Sequence, residues 1–382
     1  MREQMNISRP SERLQVVIIG SGMIGDVHRR AAILAGGEVA GVMASTPERS
    51  DLAAARWRTR AVANLADLAR FAPDIVHVCS PNALHLEHVK AALACGAHVI
   101  CEKPLAIDAA SARDVCEAAA ARGKIATVPF VYRFHPLIRE IRARVQQGEF
   151  GKWHLLHGSY LQDWLLSPHA TSWRVNSKIG GASRAFADIG SHWCDLVEFV
   201  SGEKIAAVMA SMTTTIPERP ANSAATFGAE RPTGETMKVD TEDAAVVTFK
   251  TASGVLGVVT ISQISAGRKN RLWFELDGAE KSVVFDQENP ETIWIGSEGP
   301  AMVVNRDPAR GAEDQRRLSV LPPGHPQGYA QCFDNFVNDT YAAVKGELHD
   351  GLPSFADGLR SAHIVEAVIQ SARARQWVDV KS

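Results

Sequence analysis

Apolar residues recur with two different periods along this chain, and the change of period divides it. Val16–Ile19 is an unbroken β-branched run that ends in Gly20-Ser21-Gly22-Met23-Ile24-Gly25 and opens onto DVHRRAAILA, whose apolar positions repeat at helical spacing. This predicts a strand, a tight turn and a helix. Further short apolar runs follow at Gly37–Ser45, Asp74–Cys79, HVICE and IATVPF, separated by helical patterns such as DLAAARW, LADLARF and LHLEHVKAALACG. Strands alternating with helices at this spacing predict an α/β unit over 13–133, built on a doubly wound parallel sheet. In such sheets ligands bind beyond the carboxyl ends of the strands. Ser80-Pro81-Asn82 and Glu102-Lys103-Pro104 fall at two of those ends.

From Tyr132 the pattern changes. One helical stretch, HPLIREIRARVQQG, leads into alternating runs: KWHLLHGSYLQ, IAAVMASMTTT, DAAVVTFK, GVLGVVTISQ, RLWFELDG, KSVVFD and TIWIG. Short turns such as Lys250-Thr251-Ala252-Ser253-Gly254 join them, which predicts an antiparallel meander, and 134–382 is read as an α+β unit on an open, mainly antiparallel sheet. A helix is expected over Ile189–Val200, with two Pro/Gly-rich stretches at Pro217–Val239 and Ser297–Gln327. Two amphipathic helices, Gly328–Lys345 and Phe355–Gln376, are expected to close the chain and to pack back on the first unit. VVTF and LGVVTI carry apolar residues at both parities, and the helices are too few to cover a second sheet face. A homodimer or homotetramer with sheet faces in contact is the expectation.

Composition narrows the picture further. At 382 residues the chain exceeds one ordinary core, and a net charge of -2 gives no reason to expect nucleic acid, membrane or a strongly charged partner. Cys79, Cys95, Cys101, Cys116, Cys194 and Cys332 lie scattered without a CxxC pair, as suits reduced thiols. The opening MREQMNISRPSER lacks the apolar core of a signal peptide, and no run has the length of a membrane span. The protein is therefore read as cytoplasmic, with residues up to about Glu12 a loose leader.

The glycine turn is the dinucleotide-binding fingerprint. Gly20 allows the turn, Gly22 lets the backbone approach a pyrophosphate, and Gly25 lets helix and strand pack closely, with Met23 and Ile24 between them. The positive end of the helix would hold the phosphates. At the end of the second strand stand Ser45 and Thr46, with Arg49 close behind, where an NAD site commonly carries an acid. Small hydroxyls and an Arg suit a 2′-phosphate, while Thr46-Pro47 also reads as an ordinary helix start. The cofactor is therefore NAD or NADP.

Taken in order, GSGMIG, CSPNALH, CEKPLA, VYRFHP and DIGSHWCD closely resemble the Gfo/Idh/MocA family, the glucose-fructose oxidoreductase and inositol dehydrogenase group. The resemblance extends to the closing PSFADGLRSAHIVEAVIQSAR. It implies a Rossmann domain that binds NAD(H) or NADP(H) and an open sheet carrying the substrate site and the oligomer contacts. It also implies cofactor contacts at Ser80, Pro81, Asn82, His85, Glu102 and Lys103, and a substrate contact at Arg133. Lys103 corresponds to the catalytic lysine of the EKP motif. An ammonium beside a reacting hydroxyl donates a hydrogen bond and stabilises developing alkoxide. Asp188 and His192 correspond to the D-x-G-x-H pair. If a helix begins just after Asp188, the spacing of four puts both on one face, with His192 the proton acceptor because an unperturbed imidazole titrates near neutrality. Two metal ligands would share that spacing, but no further ligands cluster nearby and no metal is expected.

The run before Asp188 departs from the family pattern by expanding to Gly180-Gly181-Ala182-Ser183-Arg184-Ala185-Phe186-Ala187. Arg184 is a candidate contact to an acidic sugar, or equally a surface or interface residue. Gln162, Asp163, Trp164, Trp173 and Arg174, with His325 and Tyr329 later, complete the candidate substrate site, since aromatic faces beside amides and carboxylates suit sugar rings. The reading is an NAD(P)-dependent oxidoreductase acting on a secondary hydroxyl of a sugar, glycoside or cyclitol. A rival uses the same residues for a redox-neutral glycosidase, by transient oxidation, elimination, water addition and re-reduction. A non-catalytic dinucleotide sensor is a third, disfavoured by the presence of Lys103, Asp188 and His192.

Overall fold

The computed structural model describes residues 13–221 and 235–381; the leader expected before Arg13 and the middle of the 217–239 stretch lie outside the described residues. Six parallel strands form the first sheet, in the order Arg60–Ala61, Glu38–Met43, Gln15–Ile19, Ile75–Val78, His98–Cys101 and Ala126–Thr127. Val16, Val17 and Ile18 have no exposed surface, as a strand covered on both faces requires. The sheet order reverses between Gln15–Ile19 and Ile75–Val78, which opens a crevice at their carboxyl ends. The short edge strand Arg60–Ala61 carries no alternating pattern, and LADLARF forms a 3₁₀ rather than an α-helix, Leu65–Phe71.

A nine-stranded sheet follows. Its order is Met302–Asn305, Thr292–Gly296, Ser282–Asp286, Arg271–Gly278, Trp153–Leu161, Leu256–Ser262, Ala244–Thr251, Ile205–Thr213 and Val378–Asp379. The sheet is mixed rather than a simple meander, because Trp153–Leu161 sits at its centre, parallel to Leu256–Ser262 and antiparallel to Arg271–Gly278. The inner face carries Val259, Ile261, Leu272, Phe274 and Leu276 and packs against the helices Pro136–Gln146, Ser191–Ser201 and Phe355–Ala374. Gly158 lets the middle helix settle. A Cβ there would stand 2.6 Å from Trp193 Nε1 and 2.2 Å from the Trp273 carbonyl, to which that indole donates at 2.9 Å. His192 immediately precedes Trp193 on that helix.

The stretch 297–327 is not a plain loop, since it supplies the edge strand Met302–Asn305 and the helix Glu313–Leu318. The ends of the 217–239 stretch pair as a ribbon, Glu218–Pro220 with Thr236–Lys238. Helix Tyr329–Val344 lays Phe333, Phe336, Val337 and Tyr341 on one face of the parallel sheet beside helix Met23–Leu34, and Phe355 and Ala362 join the core on its other face. Among the described residues no helix is long and apolar enough to cross a membrane.

Candidate active site

The crevice at the switch point is a cleft of about 430 Å³ lined from both sheets' connecting loops. Gly20, Gly22, Met23 and Ile24 form one wall, Ser45 and Arg49 one end, and Ser80, Pro81, Asn82, Glu102 and Lys103 the floor. A larger groove of about 600 Å³ runs beside it between Pro104–Asp108 and helix Phe355–Ala374, but its lining is mainly apolar and holds none of the Lys103, Asp188 and His192 group.

The glycine turn fits a diphosphate. Gly20 has φ 117°, and a Cβ there would strike the Cys79 carbonyl at 2.5 Å; a Cβ on Gly25 would strike the Gly20 carbonyl at 2.1 Å. A Cβ on Gly22 would meet nothing within 4 Å, so this residue faces open cleft. Helix Met23–Leu34 starts at Gly22 with no side-chain cap, and its first amides are left for an anion. Gly25 itself does not line the cleft; it serves the packing of helix on turn. Thr46 does not line it either, because its hydroxyl caps helix Pro47–Trp57 by accepting from Arg49 N at 3.3 Å. Arg49 Nη1 donates to Ser45 Oγ at 3.0 Å beside the cleft. His85 lies beneath the floor with ring nitrogens 2.8 Å from the Ser80 carbonyl and 3.0 Å from that of Pro104, tying the two strand-end loops together. His88, not singled out from sequence, lines the cleft with Nδ1 2.8 Å from Ser80 Oγ.

Lys103 reaches across to the second unit. Its ammonium donates to Asp188 Oδ1 at 2.7 Å and to the Asp188 carbonyl at 2.9 Å, which leaves the third donor free. Asp188 Oδ2 accepts from Gln263 Nε2 at 2.8 Å, and Arg174 Nε lies 3.7 Å from Oδ1. Burial works to raise the Asp188 pKa, but Lys103 and Arg174 outweigh it and hold the carboxyl well below its usual range. Asp188 lies within a π-turn, Phe186–Gly190, that runs directly into helix Ser191–Ser201, so the helical backbone starts before Asp188 rather than after it. Such π-turns interrupt the regular ladder and re-aim side chains. His192 stands among Phe130, Tyr132 and Tyr160, with ring centroids 5.7, 5.3 and 6.4 Å away. Its Nδ1 has no hydrogen-bond partner in the protein. Burial, then the Lys103 charge, push its pKa well below the ordinary imidazole value, which corrects the expectation of a group titrating near neutrality. The ring is neutral at physiological pH.

Trp173 and Arg174 line the cleft, with the guanidinium 4.4 Å from the indole centroid. Gln162 and Trp164 belong to a connected wall: Trp164 Nε1 donates to Gln162 Oε1 at 2.8 Å, and Gln162 Nε2 donates to Asn270 Oδ1 at 2.8 Å. Tyr132, Tyr160 and Asn270 close a triangle with edges of 2.7, 2.8 and 3.1 Å. Sequence reading missed these three, since they come from three elements far apart in the chain. Tyr329 rests against Tyr132 at 6.2 Å between centroids.

Four candidates are placed elsewhere. Arg184 is wholly buried in an ion pair with Asp243 and donates to the Glu242 carbonyl at 2.9 Å. Ser183 Oγ and Phe186 N also bind Glu242, so the expanded run anchors the turn before Asp188 instead of meeting substrate or solvent. Arg133 is buried between Asp195 and Asp357 and takes no part in the cleft lining. Asp163 Oδ2 accepts from Lys269 Nζ at 2.7 Å and Gly267 N at 3.1 Å, holding a loop. His325 is exposed in a turn whose carbonyl accepts from Arg306 Nη2 at 2.8 Å. Among the described residues one group suits a metal by position, His157 with Glu275 and Asp277, and it lies on the outer sheet face away from the cleft.

Residues 14–130 match a family described as an oxidoreductase family with an NAD-binding Rossmann fold, and 138–284 match the GFO/IDH/MocA C-terminal domain. Levoglucosan dehydrogenase of Pseudarthrobacter phenanthrenivorans is 32% identical over 329 residues, 81% of this chain and 80% of that protein. D-glucoside 3-dehydrogenase of Escherichia coli is 31% identical over 204 residues, 52% of this chain and 57% of its own. A structure of levoglucosan dehydrogenase in complex with NADH and levoglucosan matches with a TM-score of 0.86 at 28% identity, covering 97% of this chain and 100% of that one.

Proposed function

The chain belongs to the Gfo/Idh/MocA family of NAD-binding oxidoreductases, and from that premise we propose a dehydrogenase that oxidises a secondary hydroxyl of a sugar, glycoside or cyclitol. The observation that carries this reading is the Lys103 ammonium, pinned by Asp188 between the dinucleotide cleft and His192, with one donor unused. Residues 13–133 serve as the dinucleotide-binding unit and 134–382 as the substrate-binding and oligomerisation unit.

The glycine turn and the floor at Ser80–Asn82 and Glu102 would hold the cofactor, which supplies a hydride acceptor when bound. Ser45 and Arg49 at the cleft end suit either a ribose diol or a 2′-phosphate, so NADP is proposed beside NAD. Lys103 then donates to the substrate oxygen and steadies it as it gains negative charge. A neutral His192 is in the correct state to take the hydroxyl proton, though its low basicity makes that protonation brief beside the Lys103 charge. Asp188 balances the two. Trp173, Arg174 and the Tyr132–Tyr160–Asn270 wall frame a polar ring with an aromatic border.

The relatives named for levoglucosan and glucosides support carbohydrate as the substrate class. The scatter of the six cysteines, without a CxxC pair, supports a cytoplasmic enzyme. The outer face of the nine-stranded sheet exposes Val246, Leu256, Val258, Trp294 and Val303, which supports a homodimer or homotetramer joined through that face. A panel of anhydrosugars, glucosides and inositols with NAD and NADP, followed at 340 nm for wild type and Lys103→Met, tests the reading. Reduction of cofactor by wild type, lowered roughly two to four orders of magnitude in the variant, is expected. Equal rates in the two proteins would remove Lys103 from the chemistry.

A further inference from the structure

Beneath the cleft floor four buried side chains form a continuous file. Tyr341 Oη lies 3.0 Å from His77 Nε2, His77 Nδ1 lies 2.9 Å from His28 Nδ1, and His28 Nε2 lies 3.0 Å from Glu102 Oε1. The other Glu102 oxygen accepts from the Lys103 amide at 3.1 Å. The members come from helix Tyr329–Val344, strand Ile75–Val78, helix Met23–Leu34 and the residue after strand His98–Cys101. His28 and His77 have no exposed surface, and Tyr341 and Glu102 have 2% and 7%. Placing two imidazoles nitrogen to nitrogen in an apolar interior is costly unless one donates and the other accepts.

The protons can be assigned from one end. Burial works to raise the Glu102 pKa, but His28 and Lys103 hold it below its usual value, so it is an ionised, accepting carboxylate. His28 therefore donates from Nε2. Burial pushes the His77 pKa well down, so His77 is neutral and carries one proton. With one proton on each ring, His28 accepts at Nδ1 from His77 Nδ1–H, and His77 accepts at Nε2 from the Tyr341 hydroxyl. Every link is satisfied in one direction, from Tyr341 to Glu102. Reversing it would leave a buried tyrosinate, and burial pushes the Tyr341 pKa well above its ordinary value.

We propose that Tyr341, His77 and His28 are positioning residues that fix the Glu102 carboxylate, and through its bond to the Lys103 amide fix the start of the loop that carries the Lys103 side chain to Asp188. The turnover consequence rests on the reading of Lys103 given above; the proton order does not.

The test begins with ¹⁵N NMR of histidines in the full-length, cofactor-free protein at neutral pH, with His28 and His77 assigned by His28→Gln and His77→Gln. Wild type should show His28 as the Nε2–H tautomer and His77 as the Nδ1–H tautomer. In Tyr341→Phe the His77 acceptor loses its donor, so the His77 Nε2 resonance should shift while His28 keeps the proton on His77 Nδ1, and kcat should fall roughly five- to tenfold while cofactor Kd changes less than about twofold. Phe333→Leu, which loosens packing against the His28 ring (centroids 4.8 Å apart) without touching the file, should keep both tautomers and turnover. Like tautomers at both histidines in wild type would overturn the proposal, and that measurement needs no variant to fold for activity. An unchanged His77 Nε2 resonance together with unchanged kcat in Tyr341→Phe would overturn it too. Correct tautomers beside an inactive wild type would count against the dehydrogenase reading and leave the file standing.

Discussion

Replacing Asp188 by Asn separates the charge of this residue from its shape. Asp188 Oδ1 faces Lys103 Nζ and Oδ2 faces Gln263 Nε2, so an amide must turn its NH₂ toward one of two donors. Gln263 relieves the conflict. Its Oε1 has no partner, and turning its amide over lets it accept from the new side chain. Packing is then kept, and what is lost is the anion between Lys103 and Arg174. Breaking a buried pair from one side costs roughly 3–5 kcal/mol, and the low end, about 3 kcal/mol, applies because the ammonium keeps the Asp188 carbonyl. At roughly 2–4 °C per kcal/mol the melting temperature should fall by about 6–12 °C. Turnover should fall by roughly two to three orders of magnitude because the donor is no longer held in place. Cofactor affinity, which depends on the glycine turn, should change little. Thermal unfolding, steady-state kinetics and a fluorescence titration with reduced cofactor measure the three quantities. Wild-type melting and turnover in Asp188→Asn would refute the idea that this carboxylate holds Lys103, and loss of cofactor binding in step with turnover would show that the pair shapes the cleft instead.

Three further outcomes follow from the same geometry. Arg49→Ala should weaken NADP binding and leave NAD binding nearly unchanged; NADP binding that is absent, or equal in both proteins, would make Arg49 only a helix residue. Light scattering at micromolar concentration should give a dimer or tetramer mass, and Val258→Lys on the outer sheet face should lower it; a monomeric wild type would contradict the assembly. Stability should fall with acid: burial lowers the His135 pKa from 6.5 to about 4, so its contribution is present above 6.5 and lost as pH falls towards 4. That amounts to about 2 kcal/mol at pH 5. His77, His85, His88 and His192 act in the same direction, while Asp195, raised by burial to about 6, opposes them. A melting temperature that held or rose from pH 7.5 to 5 would contradict this balance.

What could be read from the chain alone follows the range of each interaction. The glycine turn, Ser80–Asn82 and Glu102–Lys103 are legible because a turn and the strand before it are local, and their place at strand ends follows from the α/β alternation. Asp188 and His192 are legible because they share one helical turn, although the π-turn that aims Asp188 leaves no mark in the hydrophobic pattern. Arg184 and Arg133 are buried ion-pair residues that the chain alone does not reveal as such. Their carboxylate partners, Asp243 and Asp195 with Asp357, lie 59, 62 and 224 residues away, so nothing nearby in sequence marks them as paired. The Tyr132–Tyr160–Asn270 triangle and the His28–His77 contact are equally non-local. Strand direction was invisible as well, since alternation of period two is the same for the parallel partner Leu256–Ser262 as for the antiparallel Arg271–Gly278.

A net oxidation of a carbohydrate hydroxyl at the Lys103–Asp188–His192 site is expected of the protein. Its most direct measurement is a mass balance on one reaction of purified enzyme with NAD and the substrate that the panel identifies, quantifying reduced cofactor by absorbance and product by mass. One NADH is expected for each product molecule, with the product two hydrogens lighter than the substrate and no glycosidic fragment released. Product formed without accumulating NADH, with the substrate split and water gained, would contradict it.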